Sequence, residues 1–215
     1  MYLTRVKIDV INRQKIRDLN HLGAYHKWVE DSFPDEVEAG YRSRKLWRID
    51  RIGEDWYLLV LSEEMPDLKR LEKYGIEGSA ETKDYTLLLN QLREGDKLRF
   101  RVVLNPVKSL SSGKRSGKRG RVIPLVTAEQ QLEYLKDKAP KYGFSLNDNE
   151  IMITSRSFET LRRKNQRPLK ICQVGYGGWL TIEDLDRFKL ALIQGIGKKK
   201  AFGCGLLTVI PRSER

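Results

Sequence analysis

The stretch RDLNHLGAYHKWVEDSF, residues 17–33, holds both histidines of the chain, His21 and His26. An imidazole titrates near neutral pH, so it can take or give a proton where most side chains cannot. The segment after Asn20 reads as a helix that Asn20 can cap and Pro34 stops. Leu22, Tyr25, His26, Val29 and Phe33 then fall at helical spacing, with Gly23 one turn before His26 and Glu30 one turn after it. Tyr25 and Lys27 flank His26 but project about 100° to either side. His21 falls in the cap region, and no role attaches to it. The proton-transfer candidates are His26, with Tyr25 and Lys27 behind it. A surface or partly buried histidine with no chemistry is the bland alternative.

Other chemistries find little support. There is no HExxH and no Cys-x-x-Cys, and acids such as Asp9, Asp50 and Glu63 are thinly spread. Two-metal phosphoryl chemistry needs clustered carboxylates. Cys172 and Cys204 make neither a disulfide framework nor a four-ligand zinc site, and read as two reduced, semi-buried thiols. No metal or small-molecule cofactor is expected. Metal-free RNA cleavage needs less: the substrate's own 2′-hydroxyl is the nucleophile. The protein must align it, take its proton, protonate the 5′-oxygen and stabilise charge.

Charge points to a polyanion. Lys plus Arg number 41 against 29 acids, a formal +12, and the pI is about 9.7. Nucleic acid is the commonest partner for such a balance. Three clusters carry it. KSLSSGKRSGKRGR, residues 108–121, contributes Lys114, Arg115, Lys118, Arg119 and Arg121 with no acid, and its Gly/Ser content predicts a projecting loop. SRSFETLRRKNQRPLK, residues 155–170, contributes Arg156, Arg162, Arg163, Lys164 and Arg167, whose guanidinium groups suit phosphate. GIGKKKAFGCGLL, residues 195–207, brackets Lys198, Lys199 and Lys200 with Gly195, Gly197, Gly203 and Gly205. Glycines there would let backbone N–H groups approach an anion. The loop is neither a Walker loop nor a dinucleotide fingerprint. Aromatic residues are not arranged for base stacking, since the first strand of the second half offers only Phe100. Helical RNA gripped by phosphate and shape is the better fit. Trp28, Trp47, Trp56 and Trp179 read as core.

These residues need a scaffold. YLTRVKIDV alternates Tyr2, Thr4, Val6, Ile8 and Val10 with Leu3, Arg5, Lys7 and Asp9, which suits a strand in a sheet covered on one side. The helix above follows, then a loop over 35–45. KLWRIDRI and DWYLLVLS form a hairpin around Gly53-Glu54. MPDLKRLEKYG is a short helix ending at Gly75, and DYTLLLNQL a fourth strand. The order strand–helix–strand–strand–helix–strand is the ferredoxin-like plan, shared with RNA-recognition domains. A turn signal at Glu94-Gly95-Asp96 marks the boundary. The second half repeats the plan: KLRFRVVLNPV, a helix from TAEQQLEYLKDKAPKYGF capped by Thr127, EIMITSRSF, LKICQVGYGGWLTI, the helix EDLDRFKLALIQGIG and the strand CGLLTVI. The chain is therefore expected to be α+β, with two tandem ferredoxin-like (RRM-like, βαββαβ) domains at 1–93 and 97–215. No run of about 18 apolar residues could span a membrane. MYLTRVKIDV has no secretory features, so a cytoplasmic location without membrane contact is expected.

MYLTRVKID, the His26 stretch, the basic loop in the second half and the closing GIGKKKAFGCGLL together resemble the CasE family, the CRISPR RNA-processing endoribonucleases of type I-E systems. The likeness covers essentially the whole chain. It implies tandem ferredoxin-like domains that bind the repeat hairpin of the precursor transcript. It implies a metal-free cut at the 3′ base of the stem by 2′-hydroxyl attack, leaving a 2′,3′-cyclic phosphate and a 5′-hydroxyl. It also implies retention of mature crRNA within the Cascade complex and its protein subunits. The family's catalytic histidine falls on His26. The family pattern has a tyrosine one turn earlier, where this chain has Gly23. A lysine in that role remains open, Lys27 or one from the C-terminal loop, as does His26 acting with positioning alone. The helical RNA contact maps onto the basic clusters, by region only for Arg156, Arg162, Arg163 and Lys164. A non-catalytic RNA-hairpin-binding subunit and a DNA-binding architectural protein are the competing readings.

Overall fold

The structure, a computed structural model, describes residues 1–110, 121–162 and 166–211. The chain runs β1 (Tyr2–Lys7), α1 (Arg13–Asp18), α2 (Leu22–Asp31), α3 (Pro34–Glu38), β2 (Leu46–Ile52), β3 (Asp55–Ser62), α4 (Leu68–Leu71), β4 (Glu81–Asp84) and α5 (Thr86–Gln91). It continues with β5 (Lys97–Leu104), β6 (Val107–Ser109), β7 (Val122–Pro124), α6 (Ala128–Lys138), β8 (Phe144–Leu161), β9 (Leu169–Ile182), α7 (Leu185–Gln194) and β10 (Thr208–Pro211). The two four-stranded sheets have the orders β2-β3-β1-β4 and β10-β5-β9-β8, and their ladders are antiparallel. Both are the ferredoxin-like order, so the α+β tandem architecture stands.

Alternation explains which side each sheet buries. Thr4 and Val6 on β1 are fully covered, together with Leu58 and Val60 of β3. They pack under α2 through Leu22, Trp28 and Val29, and Leu161 and Ile171 of the β8–β9 hairpin join the same cluster. The second core is built on Phe100, Tyr176, Phe144 and Phe188, and it takes in Leu46 and Leu61 of the first sheet. The opposite face of the first sheet is therefore not simply solvated. Leu3 and Leu59 pack against the second core. They also line a cleft of about 1210 Å³ between the sheets with Arg99, Met152, Trp179 and Ile210. The face that carries α2 is the other one.

The sheets are also bolted by a buried charge. Arg48 grips Asp50 through two bonds of 2.7 Å. Its remaining N–H groups donate to the carbonyls of Arg101 and Leu206 and to Thr208 Oγ1 at 2.7–2.9 Å. One guanidinium thus ties β2 to β5 and β10.

Several local expectations are corrected. DYTLLLNQL is not one strand: β4 ends at Asp84, whose carboxylate accepts from Thr86 N at 2.8 Å, and the leucine run turns into α5. Leucine favours helix strongly, and that run lacks the β-branching of a strand. Asn20 does not cap α2; its amide donates to the Arg17 carbonyl, and His21 occupies the N-cap position. A separate helix, α1, precedes it, capped by the Asn12 side chain. The helix ends at Asp31, and Pro34 starts α3 inside the expected loop, since proline suits a first helical position. Residues flanking the basic loop pair as a two-stranded ribbon, Val107↔Pro124 to Ser109↔Val122. Trp28 and Trp47 are core, but Trp56 is 41% exposed and stacks under Arg51, and Trp179 lines the cleft. Cys172 and Cys204 are buried and free, and burial pushes the Cys204 thiol up to about 12. Among the described residues no helix is long and apolar enough to cross a membrane.

Candidate active site

α2 is anchored by its apolar face, which fixes where its polar face looks. Trp28 Nε1 donates to the Leu71 carbonyl at 2.9 Å, and Ser32 Oγ ties back to the Trp28 carbonyl. Tyr25 lies stacked on Trp47, ring centroids 5.9 Å apart. Burial, then the charge of Glu159, raises the Tyr25 hydroxyl above its ordinary value. Tyr25 is thus turned into packing. Lys27 leaves on the exposed face and pairs with Asp31. Neither is brought to His26.

His26 stands at the edge of this packing, its side chain 32% exposed. The ring meets Phe202 edge-on at 5.8 Å. Nδ1 faces Glu30 Oε1 at 3.9 Å, as the i,i+4 spacing requires. Glu30 is itself flanked by Arg42 Nε at 3.9 Å and Lys45 Nζ at 3.8 Å. Lys45 is buried, hydrogen-bonded to Glu36 and seated over the Phe33 ring. Burial pushes the Glu36 carboxyl up, but hydrogen bonds from Lys45 and Ser43 outweigh it and hold the group below its usual range. His26 is lowered from its ordinary value. Burial is the main cause; Glu30 opposes it, and Arg42 and Lys45 add to it. The imidazole is therefore mostly neutral at pH 7 and ready to accept a proton. The signs predict that Glu30→Gln moves the His26 titration further down, because the anion that stabilises imidazolium is gone. Arg42→Gln should move it up. Proton NMR of the imidazole against pH reads both; a midpoint unmoved by Glu30→Gln would detach that carboxylate from His26.

Sequence reasoning reached the His26–Glu30 spacing but missed Arg42, Lys45 and Phe202. They arrive from a loop and a distant turn, and only tertiary packing places them.

The Gly-rich segment forms the wall beside His26. A single 3₁₀ turn, Lys200–Phe202, packs there. Trp47 Nε1 donates to the Ala201 carbonyl at 3.2 Å, and Gln173 Nε2 to the Phe202 carbonyl at 2.8 Å. At least two of the glycines serve this packing. A Cβ on Gly203 would sit 2.8 Å from the Trp47 ring, and one on Gly205 2.5 Å from the Ile196 carbonyl oxygen. Lys198 is exposed, and Lys199 holds a left-handed φ of 63°. Lys200 donates to the Gln194 carbonyl at the end of α7, and burial, then Arg44, lowers it.

The third wall is the long β8–β9 hairpin. Leu161 and Ile171 pack beneath α2, and the Arg162 carbonyl lies beside Gly23 in the first turn of that helix. Arg156, Arg162 and Arg167 are exposed, and Phe158 on the same hairpin is 53% exposed. Arg121 is exposed at the loop end of the β6–β7 ribbon. Lys114, Arg115, Lys118, Arg119, Arg163 and Lys164 lie outside the described residues. Among the described residues no group of three or more His, Cys, Asp or Glu is placed to hold a metal ion. The arrangement is a neutral, half-exposed imidazole where a helix, a lysine-bearing turn and the loop end of a basic hairpin meet.

Comparison with known proteins gives a consistent result. Residues 1–211 match a family model described as CRISPR associated protein. The chain is 30% identical over 222 residues to the CRISPR-associated endoribonuclease Cse3 of Thermus thermophilus, covering 98% of this chain and 100% of that protein. It is 28% identical over 218 residues to the CRISPR system Cascade subunit CasE of Escherichia coli, covering 98% and 100%. The structure of Thermus thermophilus Cse3 bound to an RNA representing a pre-cleavage complex matches with a TM-score of 0.78 at 28% identity, over 98% of each chain.

Proposed function

We propose, on the premise that this chain belongs to the CRISPR-associated protein family that includes Cse3 and CasE, that it is an endoribonuclease. It binds the repeat hairpin of precursor CRISPR RNA, cuts it by 2′-hydroxyl attack, and stays with the mature crRNA as a subunit of Cascade in the cytoplasm. The observation that carries this reading is His26, lowered by burial and set between the Gly-rich turn and the basic hairpin. A neutral imidazole takes the 2′-hydroxyl proton, and the oxygen attacks the adjacent phosphorus. The 5′-oxygen leaves, giving a 2′,3′-cyclic phosphate and a 5′-hydroxyl. The substrate supplies its own nucleophile, so this step needs no metal-bound hydroxide.

Arg156, Arg162 and Arg167 on one side, and Lys198 and Lys199 on the other, are assigned to the RNA backbone. The exposure of Arg156, Arg162, Arg167 and Lys198, the partial exposure of Lys199, and their places on the hairpin and the Gly-rich segment support this. Division of the chain into domains 1–93 and 97–215 fits the two sheets, with the Arg48 joint between them.

A hairpin carrying one 2′-deoxy nucleotide at the cut site tests the chemistry, with EDTA present throughout. The protein should bind it as tightly as the all-ribose hairpin and leave it uncut, while the ribose hairpin is cut. Cleavage of the deoxy hairpin would overturn internal attack. Binding of both without any cleavage would leave a passive hairpin binder.

A further inference from the structure

His21 does not point away from α2. As the N-cap residue it is extended, φ −160° and ψ 159°, and makes no side-chain cap bond. Its ring instead folds back over the first helical turn. A Cβ built on Gly23 would lie 2.8 Å from His21 Cε1 and 2.9 Å from Nδ1. The imidazole thus occupies the space into which a side chain at position 23 would project. That position is one turn before His26 on the same helical face, where neighbours sit about 5–6 Å apart between Cβ atoms. His21 is only partly exposed. Its Nδ1 is buried with no hydrogen-bond partner among the described residues. A buried, unpaired ring nitrogen costs stability and calls for an explanation. The Arg162 carbonyl closes the other side of the same spot, so the ring lies where the basic hairpin meets the helix.

We infer that His21 is the second catalytic group, the acid that protonates the leaving 5′-oxygen opposite His26. This rests on the reading of His26 as the base. Internal transesterification moves two protons at two oxygens, and one imidazole in one protonation state serves only one of them at a time. The 2′-O–H proton passes to His26 as the 2′-oxygen bonds to phosphorus. The P–O5′ bond breaks, and its electron pair takes the proton carried by His21. His26 has gained one proton and His21 has given one up, and exchange with water restores both. Gly23 is the enabling residue, because any side chain there would evict the ring.

The probe is a synthetic hairpin of the host's CRISPR repeat, made with either oxygen or sulfur bridging to the 5′-carbon at the cut site. A thiolate leaves without being protonated, so loss of the acid alone should be forgiven by sulfur. In single turnover, His21→Ala should cut the oxygen hairpin roughly 10²–10⁴-fold more slowly and the sulfur hairpin at close to the wild-type rate. The sulfur result also shows that the variant is folded. Gly23→Ala should reproduce that pattern, since its Cβ would sit 2.8 Å from the ring. His26→Ala should be slow on both. His21→Ala cutting the oxygen hairpin normally, or losing equally on sulfur, overturns the inference while leaving His26 as base. Normal cutting by His26→Ala overturns the reading beneath it.

Discussion

His26→Ala is expected to slow single-turnover cleavage of the repeat hairpin by roughly 10²–10⁴-fold, with hairpin affinity and thermal midpoint nearly unchanged. At 1.36 kcal/mol per tenfold, that is about 3–5 kcal/mol of transition-state stabilisation. The prediction separates cleanly because of where the ring sits. Its side chain is 32% exposed, and its one aromatic contact among the described residues is edge-on to Phe202. Removing it opens little volume, unlike truncation of Trp28 or Tyr25 on the same helix. The cations proposed to meet the RNA backbone stand on other elements, so the bound state should keep its contacts. The loss belongs in the chemical step, as expected when an interaction is made only in the transition state. Undiminished cutting would remove His26 from the chemistry, and a matching loss of affinity would make it a binding residue.

What was legible in the sequence follows the range of the forces involved. Strand alternation in YLTRVKIDV and the i,i+4 spacing of His26 and Glu30 are local; the spacing appears where the pattern puts it, and the strand holds over Tyr2–Lys7 but stops short of the exposed Val10. The tandem ferredoxin-like order was legible because each half carries its own hydrophobic periods. DYTLLLNQL failed because a leucine run satisfies either period, and the chain turns into helix just after Asp84, whose carboxylate accepts from Thr86 N. The Gly-rich segment is a different case. Its composition suggests an anion cradle, and the packing adds a second demand on it: Gly203 and Gly205 answer to Trp47 and Ile196, partners that no local pattern names. His21 is the sharpest case. Helical spacing alone sets it outside the helix and assigns it nothing. With an extended N-cap and no side chain two positions on, at Gly23, its ring folds back over the first turn of the helix that carries His26. Two residues that looked unhelpful, a cap histidine and a helix glycine, have meaning only together.

Arg48→Met is expected to be the most destabilising single change outside the hydrophobic clusters, at about 3–5 kcal/mol by urea unfolding. Arg48 is 2% and Asp50 4% exposed, so the charge on Asp50 cannot be handed to water. Removing the guanidinium leaves that carboxylate with Arg101 Nε at 3.6 Å as its remaining cation. The Arg101 and Leu206 carbonyls and Thr208 Oγ1 lose a donor at the same time. Most of the cost is the stranded anion and not the worth of the pair. The double variant Arg48→Met/Asp50→Leu should therefore recover a large part of it, since replacing a buried ion pair by apolar side chains is often close to neutral. The site should feel the single change too. Arg48 is adjacent to Trp47, whose indole holds the Ala201 carbonyl in the turn beside His26. Cleavage should fall further than the folded fraction alone accounts for. A single variant within about 1 kcal/mol of wild type, in the range of a surface ion pair, would mean that the joint between the sheets admits water. A double variant no better than the single one would place the cost in the lost carbonyl bonds.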